Sequence, residues 1–183
     1  MSTYNILTVS GSLRKSSYNT GLLRALKERA PEGVEIEILD ISNLSVYDQD
    51  ADANFPAEVA AMKEKIKAAD GIILATPEYN RSMSSAMKNF IDWSSRPYGT
   101  APWGGKPVCT IGASMAHTAT AFAQADLRKS LLFLDAHVLG QPEFYLGVAH
   151  EKFDESGTLT DESTKQHLDA VLAALMAQID KNR

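Results

Sequence analysis

Short apolar runs alternate along this chain with segments in which apolar residues recur every three or four positions. The first pattern is typical of strands buried on both faces, and the second is typical of amphipathic helices. A chain that alternates in this way is expected to form parallel strands joined by helical crossovers, with helices on both faces of one sheet. The predicted strands are residues 6–9, 34–39, 71–76, 108–114 and 137–140. The predicted helices carry the apolar stripes Leu22, Leu23 and Leu26; Val59, Met62 and Ile66; Met83, Met87, Phe90 and Ile91; Phe122, Ala123, Leu127, Leu131 and Leu134; and Leu168, Val171, Leu172, Leu175, Met176 and Ile179.

The length of the chain favours one order of these strands. A chain of 183 residues fits one domain with a sizeable core, and it shows no internal repeat and no interior boundary. Doubly wound sheets adopt either the dinucleotide-binding order or the flavodoxin-like order 2-1-3-4-5. Five strands in one small domain favour the second order. We therefore predict a single α/β domain over residues 1–183, with a flavodoxin-like, doubly wound, five-stranded parallel sheet.

Composition narrows the partners and the location of the protein. The net charge of −5 makes nucleic acid and anionic membrane surfaces poor partners, and no apolar stretch approaches the length of a membrane span. The first apolar run lacks the basic segment that precedes it in a signal peptide. The single cysteine, Cys109, cannot form an intrachain disulfide, so we predict a cytoplasmic protein. No His/Cys cluster has metal-ligand spacing, and no metal is expected.

The first predicted strand ends in GSLRKSSYNT, residues 11–20, which leads into a helix. Ligands of a doubly wound sheet bind at the carboxyl ends of its strands, and a helix start offers unpaired amides and a positive dipole end. Arg14 adds a forked cation that suits a phosphate. Hydroxyls are available on Ser12, Ser16, Ser17 and Thr20. The loop is either a phosphate site or a turn that merely caps the helix. The G-x-x-x-x-G-K-[ST] and G-x-G-x-x-G motifs are absent.

The third predicted strand ends in TPEYNRS, residues 76–82, and this loop should face the same crevice. In the order 2-1-3-4-5, the third strand is the neighbour of the first. Tyr79 offers an aromatic face, and Glu78 and Asn80 offer polar groups, a mixture that suits a flat heteroaromatic ring. The alternative is a capping region for the next helix, with Tyr79 packed on the rim of the sheet.

Three motifs, in order along the chain, carry a resemblance to a known family. G-S-x-R-x-x-S-x-N matches residues 11–19, P-E-Y-N matches residues 77–80, and K-N-x-I-D-W matches residues 88–93. Together with G-K-P at 105–107, they make the chain similar to the NAD(P)H-dependent FMN reductase family, in the branch of chromate, quinone and ferric reductases. The resemblance covers nearly the whole chain.

The resemblance implies a flavodoxin-like enzyme that binds FMN non-covalently and takes electrons from NADH or NADPH. It implies ping-pong hydride transfer through the flavin to quinones, with chromate, ferric complexes and azo compounds as further acceptors. The partners would be small-molecule acceptors and further copies of the chain, in a homodimer or homotetramer. The implied contacts with the FMN phosphate are Ser12, Arg14, Ser16, Ser17, Tyr18, Asn19 and Thr20. The implied contacts with the ring are Pro77, Glu78, Tyr79, Asn80, Arg81 and Ser114.

The chain departs from the family pattern in two loops. Residues 82–87 lack the Pro-Gly pair that often follows P-E-Y-N, so the local backbone path is expected to differ. The third loop, SMAHTATA at residues 114–121, is bulkier than the Gly-rich family loop and should affect the range of acceptors. No catalytic side chain is assigned, because hydride transfer needs none. Arg96 and His117 are candidates, with a solvated arginine and a surface or helix-capping histidine as the alternatives.

Two other functions are compatible with such a fold. A flavodoxin-type carrier would pass single electrons from a partner protein, and it would be expected to surround the flavin with acidic residues, which the sequence does not show. A non-enzymatic module that senses or scaffolds would have no use for Arg14, Ser17, Asn19 and P-E-Y-N. The sequence therefore favours an oxidoreductase.

Overall fold

A computed structural model of the protein describes residues 3–183. Within them the elements follow in the order β1 (Tyr4–Ser10), α1 (Tyr18–Glu28), β2 (Val34–Leu39), α2 (Ala57–Ala68), β3 (Gly71–Ala75), β4 (Glu78–Tyr79), β5 (Ser82–Met83), α3 (Ser85–Ser94), β6 (Pro107–Ala113), α4 (Ala121–Phe133), β7 (His137–Val138), β8 (Phe144–Leu146) and α5 (Glu162–Asn182). Short 3-10 helices lie at Gln49–Ala53 and Ala149–Glu151. No helix within these residues has both the length and the apolar character that crossing a bilayer requires.

The main sheet is parallel, and its neighbouring strands are β2, β1, β3, β6 and β7, in that order. This confirms the predicted order 2-1-3-4-5, with β6 and β7 as the fourth and fifth strands. β3 lies between β1 and β6, and all of its residues are buried. Its sequence, GIILA, is apolar throughout, as expected for a central strand that is covered on both faces.

The fifth strand position differs from the prediction, which places one strand at residues 137–140. β7 pairs with the beginning of β6, and β8, which the sequence analysis does not identify, pairs with its end. Between them the Leu139 carbonyl accepts a hydrogen bond from Nη1 of Arg128 at 2.9 Å. A side chain of α4 thus satisfies a backbone group at the point where the strand breaks. That contact is not visible in the local sequence pattern.

Helices cover both faces of the sheet, as predicted. α1 and α5 bury their apolar stripes on one face, and α2, α3 and α4 bury theirs on the other. The predicted stripes of α1, α2 and α5 are confirmed, except that Met176 is only half-buried. Each large aliphatic side chain that is fully buried contributes about 1.5–3 kcal/mol. These two layers therefore hold the strands, and with them the loops at their carboxyl ends, in place.

Two predicted core residues lie elsewhere. The periodicity places Met83 on the third helix, but it lies in β5, because α3 begins only at Ser85. Phe122 is 52% exposed, whereas Leu127 and Leu131 of the same helix are fully buried. Phe122 lies in the first turn of α4, on the side that faces away from the sheet.

Candidate functional site

Three loops meet at the carboxyl edge of the sheet, where β1, β3 and β6 end side by side. The first covers residues 11–17, the second residues 76–84 and the third residues 114–120. Neighbouring parallel strands end at the same edge, so the fold brings these loops to one crevice. Most of the side chains implied to bind a ligand lie in these loops, and several of them bond the loops to one another.

The first loop presents positive charge and unpaired donors at the start of α1. The Ser17 hydroxyl caps the helix by accepting a hydrogen bond from the Thr20 amide at 3.4 Å, and other first-turn amides lack an intrahelical acceptor. Arg14 is exposed, and its guanidinium contacts the hydroxyl of Ser16 at 3.5 Å. α1 carries no acidic residue in its first turn. An anion would therefore meet donors and positive charge here, without repulsion from the helix.

Three other residues of this stretch are already engaged within the fold. Ser12 is buried, and its amide donates to Oγ of Ser10 at 3.3 Å. The Thr20 hydroxyl donates to the same oxygen at 2.9 Å. Tyr18 packs against Phe153, with ring centres 5.1 Å apart. The hydroxyl hydrogen of Ser12 stays available to a ligand.

Asn19 joins the start of α1 to the end of β6. It is 3% exposed, its Nδ2 donates to the Ala113 carbonyl at 3.0 Å, and its Oδ1 accepts from the Ala113 amide at 2.9 Å. One residue of β6 thus occupies both polar groups of the side chain. Asn19 can offer a ligand its backbone amide, while its side chain fixes the first loop against the third.

The second loop forms a two-residue hairpin that the sequence analysis does not predict. β4 and β5 pair antiparallel, and Asn80 and Arg81, which connect them, have φ values of 53° and 66°. A type I′ turn needs positive φ at both positions, and its second position favours glycine. Arg81 occupies that position at a cost of about 1–2 kcal/mol, which the contacts of its side chain offset.

Glu78 caps α4 from across the crevice. Its Oε2 accepts hydrogen bonds from the amides of Phe122 and Ala123 at 3.0 and 3.2 Å, and its Oε1 accepts one from Arg81 at 3.1 Å. Its side chain is only 6% exposed. A carboxylate at a helix start is stabilised by the unpaired amides and by the dipole. The Glu78 side chain thus joins the second loop to α4.

Arg81 makes a second connection between the same parts of the molecule. Its Nη1 lies 3.2 Å from Oγ1 of Thr118, and its guanidinium lies 5.4 Å from the ring centre of Phe122. The hairpin is also tied to α4 by the Ser82 hydroxyl, which donates to Oδ2 of Asp126 at 2.7 Å. That hydrogen bond lowers the pKa of Asp126. The hairpin is therefore docked firmly on the first half of α4.

The other ring-side residues of the second loop differ in exposure. Pro77 is buried, and its carbonyl accepts a hydrogen bond from the Thr76 hydroxyl at 2.9 Å. Tyr79 is 48% exposed, and Asn80 is exposed at the tip of the hairpin. These two side chains, with the open side of Arg81, are what this loop presents to a ligand.

The third loop is held by the end of β8 and by the segment that follows it. The Ser114 amide donates to the Leu146 carbonyl at 2.9 Å, and the Ser114 carbonyl accepts from the Ala149 amide at 3.0 Å. The Ser114 hydroxyl oxygen accepts from the Ala116 amide at 3.1 Å. The hydroxyl hydrogen of Ser114 is therefore its remaining donor toward a ligand.

Ser84 is a residue of this edge that the sequence analysis missed. Its hydroxyl donates to the Gly11 carbonyl at 2.6 Å and accepts from the Met87 amide at 3.1 Å. It thereby caps α3 and holds the first loop against the second. A serine just before an apolar helical stripe is a capping signal, so its capping role could have been found. Its contact with Gly11, 73 positions away, depends on the fold.

The two catalytic candidates lie in different parts of the molecule. The Arg96 guanidinium lies 6.0 Å from the ring centre of Tyr47, and the Arg96 carbonyl accepts a hydrogen bond from Lys63 of α2. These contacts belong to the α2 side of the fold rather than to the three loops. His117 is exposed within the third loop. Across residues 3–183, no group of three or more His, Cys, Asp or Glu side chains is placed to hold a metal ion.

Comparison with known proteins gives the class of this protein. Residues 4–151 match the family model described as NADPH-dependent FMN reductase. The chain is 40% identical over 178 residues to a 2-hydroxy-1,4-benzoquinone reductase of a Burkholderia species, with 97% of each chain covered. It is 42% identical over 173 residues to a quinone reductase of Escherichia coli K12, with 92% of each chain covered.

A solved structure agrees with these relatives. The flavoenzyme NAD(P)H:(acceptor) oxidoreductase of Paracoccus denitrificans superposes with a TM-score of 0.89 at 36% identity, over 98% of this chain and 99% of that one. The chain belongs to the NADPH-dependent FMN reductase family. It is an NAD(P)H-dependent oxidoreductase with FMN as its flavin, as the resemblance of its motifs to this family implies.

The first loop fits the phosphate of FMN. Arg14 is exposed without an acidic neighbour between Gly11 and Lys27, and the start of α1 adds first-turn amides. Guanidinium groups and helix starts are the groups that proteins use for phosphate esters. Ser12 and Ser16 add hydroxyls that can donate further hydrogen bonds.

Proposed function

We propose that this protein reduces quinones with electrons from NADH or NADPH, through FMN held non-covalently by the three loops. The observation that carries the proposal is the exposed Arg14 at the start of α1, on the same sheet edge as the half-exposed ring of Tyr79. Relatives named as reductases of 2-hydroxy-1,4-benzoquinone and of quinones support this class of acceptor. Chromate, ferric complexes and azo compounds stay proposed as further acceptors.

In this proposal FMN would supply the redox chemistry, because it accepts a hydride from the nicotinamide and passes two electrons to the acceptor. The side chains of the crevice divide into those that hold the phosphate and those that border the ring. Arg14, the Ser12, Ser16 and Ser17 hydroxyls and the amides at the start of α1 would hold the phosphate. Tyr79 and Asn80, the backbone of the second loop and the Ser114 hydroxyl would border the ring.

The buried polar side chains of the same loops have a different task. Asn19 and Glu78 spend their hydrogen bonds on Ala113 and on the start of α4. They set the distances between the loops, so that the groups that touch the ligand are in place before it arrives. Such preorganisation raises affinity because less conformational entropy is lost on binding.

Tyr79, Asn80 and Arg81 are exposed at this edge of the sheet, and we infer that nicotinamide and acceptor occupy the crevice in turn. This order of events is ping-pong. The test is to load the purified full chain with FMN, remove the excess, and add NADH or NADPH without oxygen. The yellow absorbance should bleach, and a benzoquinone should restore it. Steady-state rates at several quinone concentrations should give parallel double-reciprocal lines. Failure of both donors to bleach the bound flavin would falsify the proposal.

A matched pair of variants tests the phosphate site separately. Arg14→Ala removes the proposed phosphate cation, and Lys15→Ala removes the neighbouring exposed charge from the same loop. Hydrogen bonds to charged groups contribute about 1.5–3 kcal/mol, so Arg14→Ala should weaken FMN binding by about 10-fold to 150-fold. Lys15→Ala should change it by less than about threefold. Equal effects of the two variants would mean that the loop attracts FMN only through its net charge.

Assembly and location are also part of the proposal. The family resemblance supports a homodimer or homotetramer with the crevice near the contact between subunits. The cytoplasmic location stays a prediction from the sequence.

A further inference from the structure

A pocket of about 310 Å³ lies at the carboxyl edge of the sheet, between the first loop and the end of β2. It is lined by Ser12 and Thr20, which belong to the implied phosphate site, and by Asp40 and Ser42, which follow β2. In the sheet, β2 lies on one side of β1 and β3 lies on the other. The pocket is therefore beyond the phosphate end of the crevice, on the side away from the second and third loops. Its volume is within the range of roughly 300–1,000 Å³ that is typical of ligand sites.

Asp40 gives this pocket an exposed carboxylate directly after the last residue of β2. Its Oδ1 accepts a hydrogen bond from the Ser42 amide at 2.8 Å, and this bond lowers the pKa of Asp40. Within residues 3–183 the carboxylate forms no ion pair. Because an ionised carboxylate can accept several hydrogen bonds, Asp40 has acceptor capacity left for a ligand that carries hydroxyl groups.

The groups that line the pocket suit a nucleoside. The 2′ and 3′ hydroxyls of a ribose are neighbouring donors, and a carboxylate further along the chain from the first βα turn is what dinucleotide-binding folds use to bind the 2′ hydroxyl. Leu13, which is 58% exposed, and Ile38 add apolar walls for a base. Neither Arg14 nor Lys15 lines the pocket. A phosphate on the 2′ oxygen would therefore meet the carboxylate with no cation of the lining to neutralise it.

The strand order brings this pocket within reach of a dinucleotide in the crevice. A nicotinamide at the ring-side loop after β3 would leave the rest of its dinucleotide to run past the end of β1 toward the end of β2. Two strand spacings separate β3 from β2, which is about 10 Å. The two riboses and the diphosphate of a dinucleotide are long enough to cover that distance.

We propose that this pocket holds the adenosine ribose of the electron donor, and that Asp40 makes NADH the preferred donor over NADPH. With NADH, the carboxylate accepts hydrogen bonds from the ribose hydroxyls. With NADPH, the 2′ hydroxyl is replaced by a phosphate, and two negative charges meet. Specificity of this kind comes from repulsion of the wrong ligand as much as from attraction of the right one. The inference rests on the proposed function and extends it by naming the donor.

Calorimetric titration of the FMN-loaded full chain tests the pocket without turnover. The probes are AMP and adenosine 2′,5′-bisphosphate, which differ only in the 2′ phosphate. AMP should bind at least tenfold more tightly to the wild type. Asp40→Asn keeps an oxygen that can accept from the Ser42 amide but removes the charge, and it should bring the two affinities to within about threefold of each other.

Asp48→Asn is the matched control for this titration. Asp48 is also exposed, and its Oδ1 accepts a hydrogen bond from the amide two residues on, at 3.0 Å, but it does not line the pocket. This variant should keep the wild-type preference for AMP. The proposal is overturned if AMP does not bind at millimolar concentration, if the wild type binds both probes equally, or if the two variants behave alike.

Kinetics with a benzoquinone then identify the source of the ribose. The ratio of kcat/KM for NADH to that for NADPH should be at least ten in the wild type and should fall at least fivefold in Asp40→Asn, mainly because the KM for NADPH falls. FAD carries the same adenosine ribose, so its binding to the flavin-free chain is measured as well. A variant that binds FAD more weakly but keeps the wild-type donor ratio would assign the pocket to the flavin and refute the proposal. Failure of both donors to bleach the bound flavin would refute the proposed function instead, and the two failures are separate because the AMP titration needs no turnover.

Discussion

Replacing Asn19 by alanine should destabilise this protein far more than replacing an exposed asparagine. Asn19 is 3% exposed, and its side chain makes two hydrogen bonds with Ala113, at 3.0 and 2.9 Å. Alanine leaves the amide and the carbonyl of Ala113 without partners. Each buried polar group left unsatisfied costs about 1–3 kcal/mol, so the free energy of unfolding should fall by about 2–6 kcal/mol. That is a large part of the roughly 5–15 kcal/mol typical of a domain.

Urea unfolding of the flavin-free protein, followed by circular dichroism, measures this loss. Asn54→Ala is the matched control, because Asn54 is an exposed amide at the end of a 3-10 helix. Substitutions at such surface positions usually change stability by about 0.5 kcal/mol or less. An Asn19→Ala variant as stable as this control would show that the two hydrogen bonds do not hold the first loop against β6.

The same variant tests whether Asn19 shapes the flavin site. Asn19 holds the start of α1, and with it Arg14, in place before FMN binds. The dissociation constant of FMN, measured by fluorescence on folded Asn19→Ala protein, should therefore rise at least tenfold, which corresponds to about 1.4 kcal/mol. A lower stability with unchanged FMN affinity would remove the positioning role and leave a purely structural one.

Three further predictions concern other parts of the fold. Gly112→Ala puts a Cβ 2.2 Å from Oγ1 of Thr120, so it should lower the free energy of unfolding by about 1–3 kcal/mol or more. Thermal unfolding measures this loss. Gly104→Ala is the control and should show no comparable loss, because the nearest atom to its Cβ is 3.9 Å away. A hydrogen bond from Lys152 helps to lower the pKa of Asp161 from 3.8 to about 2. The ionised Asp161 therefore stabilises the fold above the pKa of the unfolded state, and this stabilisation is lost as the pH falls through the pKa of the folded state. In a plot of melting temperature against pH, Asp161→Asn should therefore flatten the decline on the acid side. Burial raises the pKa of the Cys109 thiol to about 12, so a thiol reagent should label the native chain far more slowly than the denatured chain, and equal rates would contradict the burial.

The order of the main sheet could be predicted because each buried strand and most helices carry their own local pattern, and five such strands in one small domain favour one of the two doubly wound orders. The apolar run at residues 71–76 predicts a buried strand, and the structure places β3, with all of its residues buried, between β1 and β6. The split of the fifth strand could not be predicted in the same way. Arg128, a residue of α4, bonds to the Leu139 carbonyl where the strand breaks, and no local pattern of residues 137–140 indicates this contact.

The stripe of α4 shows a different limit of sequence patterns. Phe122 shares the helical spacing of Ala123 and Leu127, so periodicity alone assigns it to the core. In the structure it lies in the first turn of α4, beneath Arg81 and at the edge of the crevice. Which side of a short apolar segment faces the sheet is decided by packing, because several faces of such a helix are apolar enough to be buried.

The sequence by itself determined the alternation of strands and helices, the strand order and the loops after the first and third predicted strands that carry family motifs. Apolar periodicity, helix starts and motif spacing are local properties of a chain, and the strand order follows because five such strands in one small domain favour one doubly wound order. Only the tertiary structure decided that Asn19 bonds the start of α1 to β6 and that Glu78 bonds the second loop to α4. It likewise decided that Arg14 and Tyr79 stay exposed. Asn19 and Ala113 are 94 positions apart, and a hydrogen bond over that separation exists only after the strands between them have found their places in the sheet.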